Sequence, residues 1–477
     1  MRRLLNDLLA YLADLRGVVP RGWDAFFFRP ADPTALGLIR VAVGMLATWN
    51  LWVFGLDLHA YLGTEGWADP EWVRLAYRLE APGAWSFWFL VPDSWLRPAW
   101  LACLAALALY TAGLWSRATA VLAWAIVVST ARRVPMALFG FDQALSTWML
   151  YLAVTGASGQ AVSLDRFLAR RRAARAAVAR RRPDGRWVVG SGAPLPTVSA
   201  NLALRLIQLH LALIYGMAGL AKLQGQAWWA GKAIWGVLAS AEFRTFDLTW
   251  LVDHPWLLNL MTHASLALEL GYPALIWVRR LRPPLLAAVA LMHAGIGLTA
   301  PGLIEFGLTM LAGNLAFVPG PWLRSLVAGR EQPAGRVLYD GACPRCRASM
   351  ALIGAADPDR MIEPVDLTAV DVSAVRPGLT REACLRAMHL VRADGRVIVG
   401  YDALRTIGLW LPLTWPLAVA GSLPGVTAAG RHVYRALAAS RLRDVPCTDE
   451  VCGIHPQSGR GRAKQASSAG HPEGTPP

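Results

Sequence analysis

Residues 336–346 read Arg-Val-Leu-Tyr-Asp-Gly-Ala-Cys-Pro-Arg-Cys. Apolar residues of strand character run into Asp340-Gly341, and two cysteines follow one helical turn apart. Pro344 suits the first turn of a helix, where its missing N–H is not needed. Working outward, the helix extends to about Ala356 and Met361–Leu367 reads as a second strand. Met388–Gly400 reads as a hairpin with Asp394-Gly395 supplying the turn. Asp402 is placed to N-cap another helix. Together these make a small α/β domain over residues 335–453. Residues 456–477, rich in Ser, Gly, Pro and basic side chains, read as a disordered tail.

The order strand, Cys-x-x-Cys, helix, strand, helix, hairpin, helix is thioredoxin-like. It has a chemical purpose. A sulfur at a helix N-terminus lies among orphan backbone N–H groups and the positive end of the dipole, which favours thiolate. Cys343 is therefore read as the nucleophile and Cys346 as the resolving thiol. Arg345 and Arg347 are expected to depress the Cys343 pKa further. Cys447 and Cys452 are secondary thiols. They could join the pair in a four-thiolate zinc site, but the strand–turn–helix context favours redox use without a metal. Cys103 and Cys384 read as small buried hydrophobes.

The rest of the chain has a different texture. Of 477 residues, 55% are apolar and only 17% charged, yet 47 Lys+Arg against 32 Asp+Glu give a net charge of +15. This excludes a disordered chain, which needs low hydrophobicity, and a small disulfide scaffold. It fits a polytopic α-helical membrane bundle with basic loops. Apolar runs at roughly 35–54, 98–115, 117–131, 136–156, 201–221, 256–278, 284–300 and 302–319 suggest about eight spans. Ahead of them, residues 1–29 carry Leu4, Leu5, Leu8, Leu12 and Leu15 at helical spacing, as in an amphipathic segment.

Arginines set the expected orientation. The segment 165–186 holds nine of them and is read as a cytoplasmic loop that attracts anionic lipid headgroups rather than nucleic acid. Both termini and the α/β domain then lie on the cytoplasmic side of the inner (plasma) membrane. Arg132 and Arg133 fall on the wrong side.

Polar residues inside spans are costly and are functional candidates by default. Asn201, Arg205, Gln208, Tyr215, Gly219 and Lys222 make one stripe, and Thr262, Ser265, Glu269 and Tyr272 a second. His293, Glu305, Arg40 and Asp142 complete the set. The chain has only three lysines, Lys222, Lys232 and Lys464. A chain that otherwise uses Arg gains at Lys222 an amine that can lose its proton.

Two resemblances follow. Tyr339-Asp340-Gly341-x-Cys343-x-x-Cys346, the hairpin Met388–Gly400, Asp402-Ala-Leu and Cys447 resemble the DCC family of thiol-disulfide oxidoreductases. That resemblance gives Asp340 and Asp402 supporting roles, and Arg345 supports the pair by its charge. Ala387-Met388 stand where thioredoxins place a cis-proline, so thioredoxin-style peptide binding is not expected. Residues 30–325 resemble the horizontally transferred transmembrane (HTTM) domain, related to vitamin K-dependent gamma-carboxylase, through Tyr215-Gly-Met-Ala-Gly219-Leu-Ala-Lys222-Leu-x-Gly225-x-Ala-Trp228. It implies Lys222 as a base, Glu269 and His293 in support, and a quinone such as reduced vitamin K as cofactor; Arg205, from the polar stripe, is a further supporting candidate.

The expected function is a membrane-anchored thiol-disulfide oxidoreductase exchanging electrons with a thiol or disulfide partner, coupled to a lipophilic cofactor in the bundle. The alternatives are a carboxylase- or epoxidase-like membrane enzyme with a lysine base, and a non-catalytic transporter or scaffold.

Overall fold

The computed structural model describes residues 2–81, 83–179, 193–240, 246–326, 333–357 and 359–441. The chain divides into two compact units, 1–165 with 194–323, and 166–193 with 324–477.

The first unit is helical. Its helices pack as neighbours in sequence or near it: Thr34–Phe54 on Asp93–Ala112, Ser116–Arg133 on Gly140–Thr155, Val198–Lys222 on Pro255–Leu275, and Arg282–Thr299 on Ile304–Asn314. Trp148, Leu107, Tyr110 and Tyr272 lie at the centre of one apolar core. Among the described residues, three helices are long and apolar enough to cross a membrane: Thr34–Leu62, Asp93–Ala112 and Val198–Lys222. The expected eight spans are not supported. The run 136–156 is split into a 3₁₀ turn and a helix of 16 residues, and the run 302–319 forms a helix of 11. Ser116–Arg133 carries three arginines, and Asn259, His263 and Glu269 dilute Pro255–Leu275.

The arginines buried in this unit are held by backbone. Arg40 is fully buried and donates to the carbonyls of Ser158, Thr111 and Val162. Arg133 donates to the carbonyls of Ala68 and Gly63 at 2.6 and 2.5 Å. It is thus a structural cross-link between the end of its helix and the loop 63–68. Asp142 accepts from the Phe139 N–H at 2.9 Å, capping its helix, and from Asn50. The N-terminal segment is a helix, Arg2–Phe27, with Val18, Val19 and Trp23 exposed. Its end is anchored where Asn201 Nδ2 donates to the carbonyls of Phe26 and Phe27.

The second unit contains a four-stranded sheet of order β2-β1-β3-β4: β1 Gly335–Tyr339, β2 Ile362–Asp366, β3 His389–Arg392 and β4 Val397–Val399. β1 pairs parallel to β2 and antiparallel to β3, so it is central and nearly all its side chains are buried. The hairpin closes through Ala393-Asp394-Gly395, with Gly395 at φ +79°. That is a three-residue loop with its glycine left-handed rather than a two-residue turn. The helix after it starts at Tyr401 behind Gly400, so Asp402 sits in the first turn and is not the N-cap.

Segment 165–186 also differs from expectation. Its described part is a helix, Leu164–Ala179, and not a loop. Phe167, Ala174 and Val178 pack into the core beside Val337, Met350 and Ile407. Arg170 donates to the carbonyls of Gly354, Ala355 and Asp357, the orphan acceptors at the end of the Pro344–Ala356 helix. Residues 180–186 lie outside the described residues, as do Cys447, Cys452, Lys464 and the tail.

Candidate functional site

The loop leading out of β1 is built for close contact. Asp340 Oδ1 accepts from the Ala342 N–H at 3.0 Å, and the Asp340 carbonyl from the Cys343 N–H at 3.2 Å. The Gly341 N–H donates to Asp366 Oδ1 at 3.1 Å. A Cβ on Gly341 would stand 2.0 Å from that carboxylate, so only glycine fits. Arg347 Nη1 braces the Gly341 carbonyl at 2.8 Å.

This delivers Cys343 to the N-cap of the helix Pro344–Ala356. Its sulfur accepts from the Cys346 N–H at 3.3 Å, the place a serine or aspartate oxygen usually takes. Cys343 is 1% exposed and Cys346 partly so. Both are free thiols. The Cys346 thiol and the Cys346 N–H, in that order, bring the Cys343 pKa down to about 7. Burial and the Asp340 carboxylate oppose the shift, and the Arg441 guanidinium assists it. Cys346 is pushed far up, first because its proton serves Cys343 and second by burial. The two shifts belong to one coupled pair: Cys343 loses its proton first.

The cation beside the thiols is Arg441. Its Nη1 lies 3.5 Å from Cys346 Sγ, Nη2 donates to the carbonyls of Leu385 and Arg386, and Nε to that of Ala438. Arg345, expected in that role, turns away: its Nη1 donates to the carbonyl and hydroxyl of Ser440. It holds the segment that presents Arg441. No local motif marks Arg441, because 95 residues separate it from Cys346. Its only signal is a second arginine-rich stretch after the last helix. Tyr434 is likewise unforeseen; its hydroxyl accepts from the Met388 N–H at 2.9 Å. The Met388 carbonyl accepts from Gly400. Both backbone groups at the thioredoxin cis-proline position are thus used internally. Asp402 pairs with Arg431 Nε at 2.9 Å and Arg405 at 3.4 Å, tying two helices together. Cys384 is buried in the core, which raises its pKa.

In the helical unit, Lys222 Nζ lies 2.9 and 2.7 Å from the two Glu269 oxygens, over the Trp228 ring at 5.2 Å. Gly219 allows this: a Cβ there would reach Leu270 on the facing helix at 2.9 Å. One layer away, His293 Nε2 and Tyr215 Oη are 2.7 Å apart. Asn314 donates to Tyr215 Oη and accepts from Tyr272 Oη at 2.7 Å. Asn314 was not foreseen. Arg205 is not part of this group: it donates to the Phe26 carbonyl and to Gln208.

Residues 337–444 match the family model described as DCC1-like thiol-disulfide oxidoreductase, and the chain carries that domain there. The match takes in the last three residues of β1, both thiols and Arg441. No curated protein and no solved structure matches the chain.

The pH dependence follows from the pair. Alkylation of Cys343 by iodoacetamide in the full chain should rise with pH to a half-maximum at about 7, since the thiol is protonated and slow below that value. Arg441→Gln should move the midpoint upward. A midpoint near 9 in the unsubstituted protein would contradict this account.

Proposed function

We propose that this chain is a membrane-anchored thiol-disulfide oxidoreductase whose working pair is Cys343 and Cys346. The observation that carries the reading is the Cys343 sulfur held as the helix N-cap, with its partner thiol donating to it. In the reducing direction, the Cys343 thiolate attacks one sulfur of a partner disulfide. A Cys343–partner bond forms, the partner S–S bond breaks, and the other partner sulfur leaves as thiolate. Cys346 then gives up its proton and attacks Cys343 Sγ, and the partner's second thiol departs. The dithiol loses two electrons and two protons, and the partner gains both. Arg441 Nη1 supplies positive charge where Cys346 becomes a thiolate. The oxidising direction is the reverse.

Anchoring rests on the three apolar helices and on the large side chains that the helical unit exposes, among them Trp49, Leu101, Leu213, Met217 and Leu220. The arginine distribution favours an inner-membrane location with the thiols in the cytoplasm, where a reduced pair is maintained. Cys346→Ser should trap mixed disulfides on Cys343 with cytoplasmic thiol proteins, and Cys343→Ser should trap none. A membrane-impermeant maleimide should spare Cys343 in intact cells. Equal trapping by both variants would remove the proposed roles, and labelling in intact cells would reverse the orientation.

A second reading concerns the helical unit, where Lys222–Glu269 adjoins the Tyr215–His293 pair. His293 Nδ1 and Thr309 Oγ1 are buried without a hydrogen-bond partner among the described residues. Such atoms fit a carbonyl-bearing ring such as a quinone, which Lys222, His293 and Tyr215 would hold. Bound there, a quinone would supply two-electron chemistry, and the HTTM resemblance would give Lys222 the part of base. Binding of menadione, read as quenching of tryptophan fluorescence, should weaken about tenfold or more in Lys222→Ala/Glu269→Gln, which removes the ion pair as a unit. Unchanged affinity would eliminate this site.

A further inference from the structure

The helical unit holds a second polar feature, at the opposite end of the Val198–Lys222 helix from its lysine. A cavity of about 380 Å³ is lined by Arg205, Gln208, Arg279, Arg282, Phe317 and Asp32. Three guanidinium groups and one carboxylate thus share one small space.

Two of the arginines are fixed in place. Arg205 Nε donates to the Phe26 carbonyl at 3.1 Å and Nη1 to Gln208 Oε1 at 2.8 Å, and its plane lies 4.2 Å from the Phe26 ring centre. Gln208 is itself held, its Nε2 donating to the Ala316 carbonyl at 2.7 Å. Arg282 Nε donates to the Ile276 carbonyl at 3.1 Å, and its guanidinium stands 6.0 Å from the Phe317 ring. In both, Nε is engaged with backbone and Nη2 has no partner among the described residues. Arg279 is exposed and makes no hydrogen bond among them. Asp32 is engaged in part, its Oδ1 accepting from the Thr34 N–H at 2.9 Å. Three clustered cations facing one carboxylate leave an excess of positive charge. Planar guanidinium forks match the oxygens of carboxylate and phosphate groups alike, and a phosphate offers three clustered cations more oxygens and more negative charge than a carboxylate does.

We propose that this cavity binds a phosphate group, supplied by the headgroup of an anionic lipid. The lipid source rests on the membrane reading of the helical unit. Val198–Lys222 is one of the three apolar helices, and Arg205 lies within its first three turns. Arg279 and Arg282 sit at the turn between the helices Pro255–Leu275 and Arg282–Thr299, and all three cations line the one cavity. Basic pockets between helices at a membrane face are suited to such headgroups. Phe317 and Ala316 give the apolar wall that a glycerol backbone would need.

The test uses the full chain in neutral detergent, with thermal unfolding followed by tryptophan fluorescence. The probes are phosphatidylglycerol, phosphatidylcholine and inorganic phosphate. Phosphatidylglycerol should raise the midpoint with concentration, as any ligand of the folded state does. Phosphatidylcholine should do so far less. Arg279→Gln/Arg282→Gln should weaken the phosphatidylglycerol effect about tenfold or more. Arg381→Gln/Arg435→Gln, which removes exposed charge from the other unit, should leave it intact. Should the double variant fold poorly, Arg279→Gln alone suffices, because that side chain is exposed and unbonded. Stabilisation by inorganic phosphate but not phosphatidylglycerol would keep the cavity as a phosphate site and overturn the lipid source. An equal phosphatidylglycerol effect in the pocket variants, or none in the unsubstituted chain, would overturn the proposal.

Discussion

Every helix begins with N–H groups that have no partner within it, and at Pro344–Ala356 one of those groups is satisfied by a sulfur. That constraint organises the second unit. A sulfur accepts a hydrogen bond best as a thiolate, so capping the helix and lowering the Cys343 pKa are one event. For the cap to form, β1 must end where it does, Asp340 must fold the chain back, and Gly341 must leave room for Asp366. The central position of β1 fixes that end point. Arg441 then reaches the other sulfur, held by three carbonyls that set its direction.

The helical unit follows a related rule. Its buried arginines direct their terminal nitrogens at backbone oxygens. Arg40 and Arg133 each fork onto carbonyls of loops and helix ends, and so act as cross-links. Lys222 alone among the central cations discussed takes a carboxylate, Glu269. Around the 380 Å³ cavity, Arg205 and Arg282 each give one nitrogen to a carbonyl and Arg279 makes no hydrogen bond among the described residues, whereas both terminal nitrogens of Arg40 are on carbonyls, so more donors remain free at the cavity.

Legibility in the sequence tracks the range of the contact. The Cys343–Cys346 cap, the strand before it and the hairpin are local, and their residues announce them. The stripe Asn201, Gln208, Tyr215 and Gly219 is legible because helical period alone brings those side chains to one buried face. Arg441 is not, because only the fold carries it back across 95 residues. Arg345 was misassigned for the matching reason: adjacency in sequence puts it on the outer side of the helix, against Ser440. In the segment 165–186 the density of arginine hides Phe167, Ala174 and Val178, whose spacing is that of one helix face. Hydropathy counted apolar runs as spans without seeing where Pro135 and Pro301 begin 3₁₀ turns.

The central claim is that Cys343 and Cys346 form a reversible two-electron couple. Its most direct test is the reduction potential of that pair in the full chain with Cys103, Cys384, Cys447 and Cys452 replaced by serine. Equilibration in thiol-disulfide buffers, followed by alkylation and mass measurement, reads it. One two-electron transition between about −270 and −120 mV, the range of exchanging dithiols, is expected. No intramolecular disulfide, or a potential below about −300 mV as in a structural bond, would contradict it.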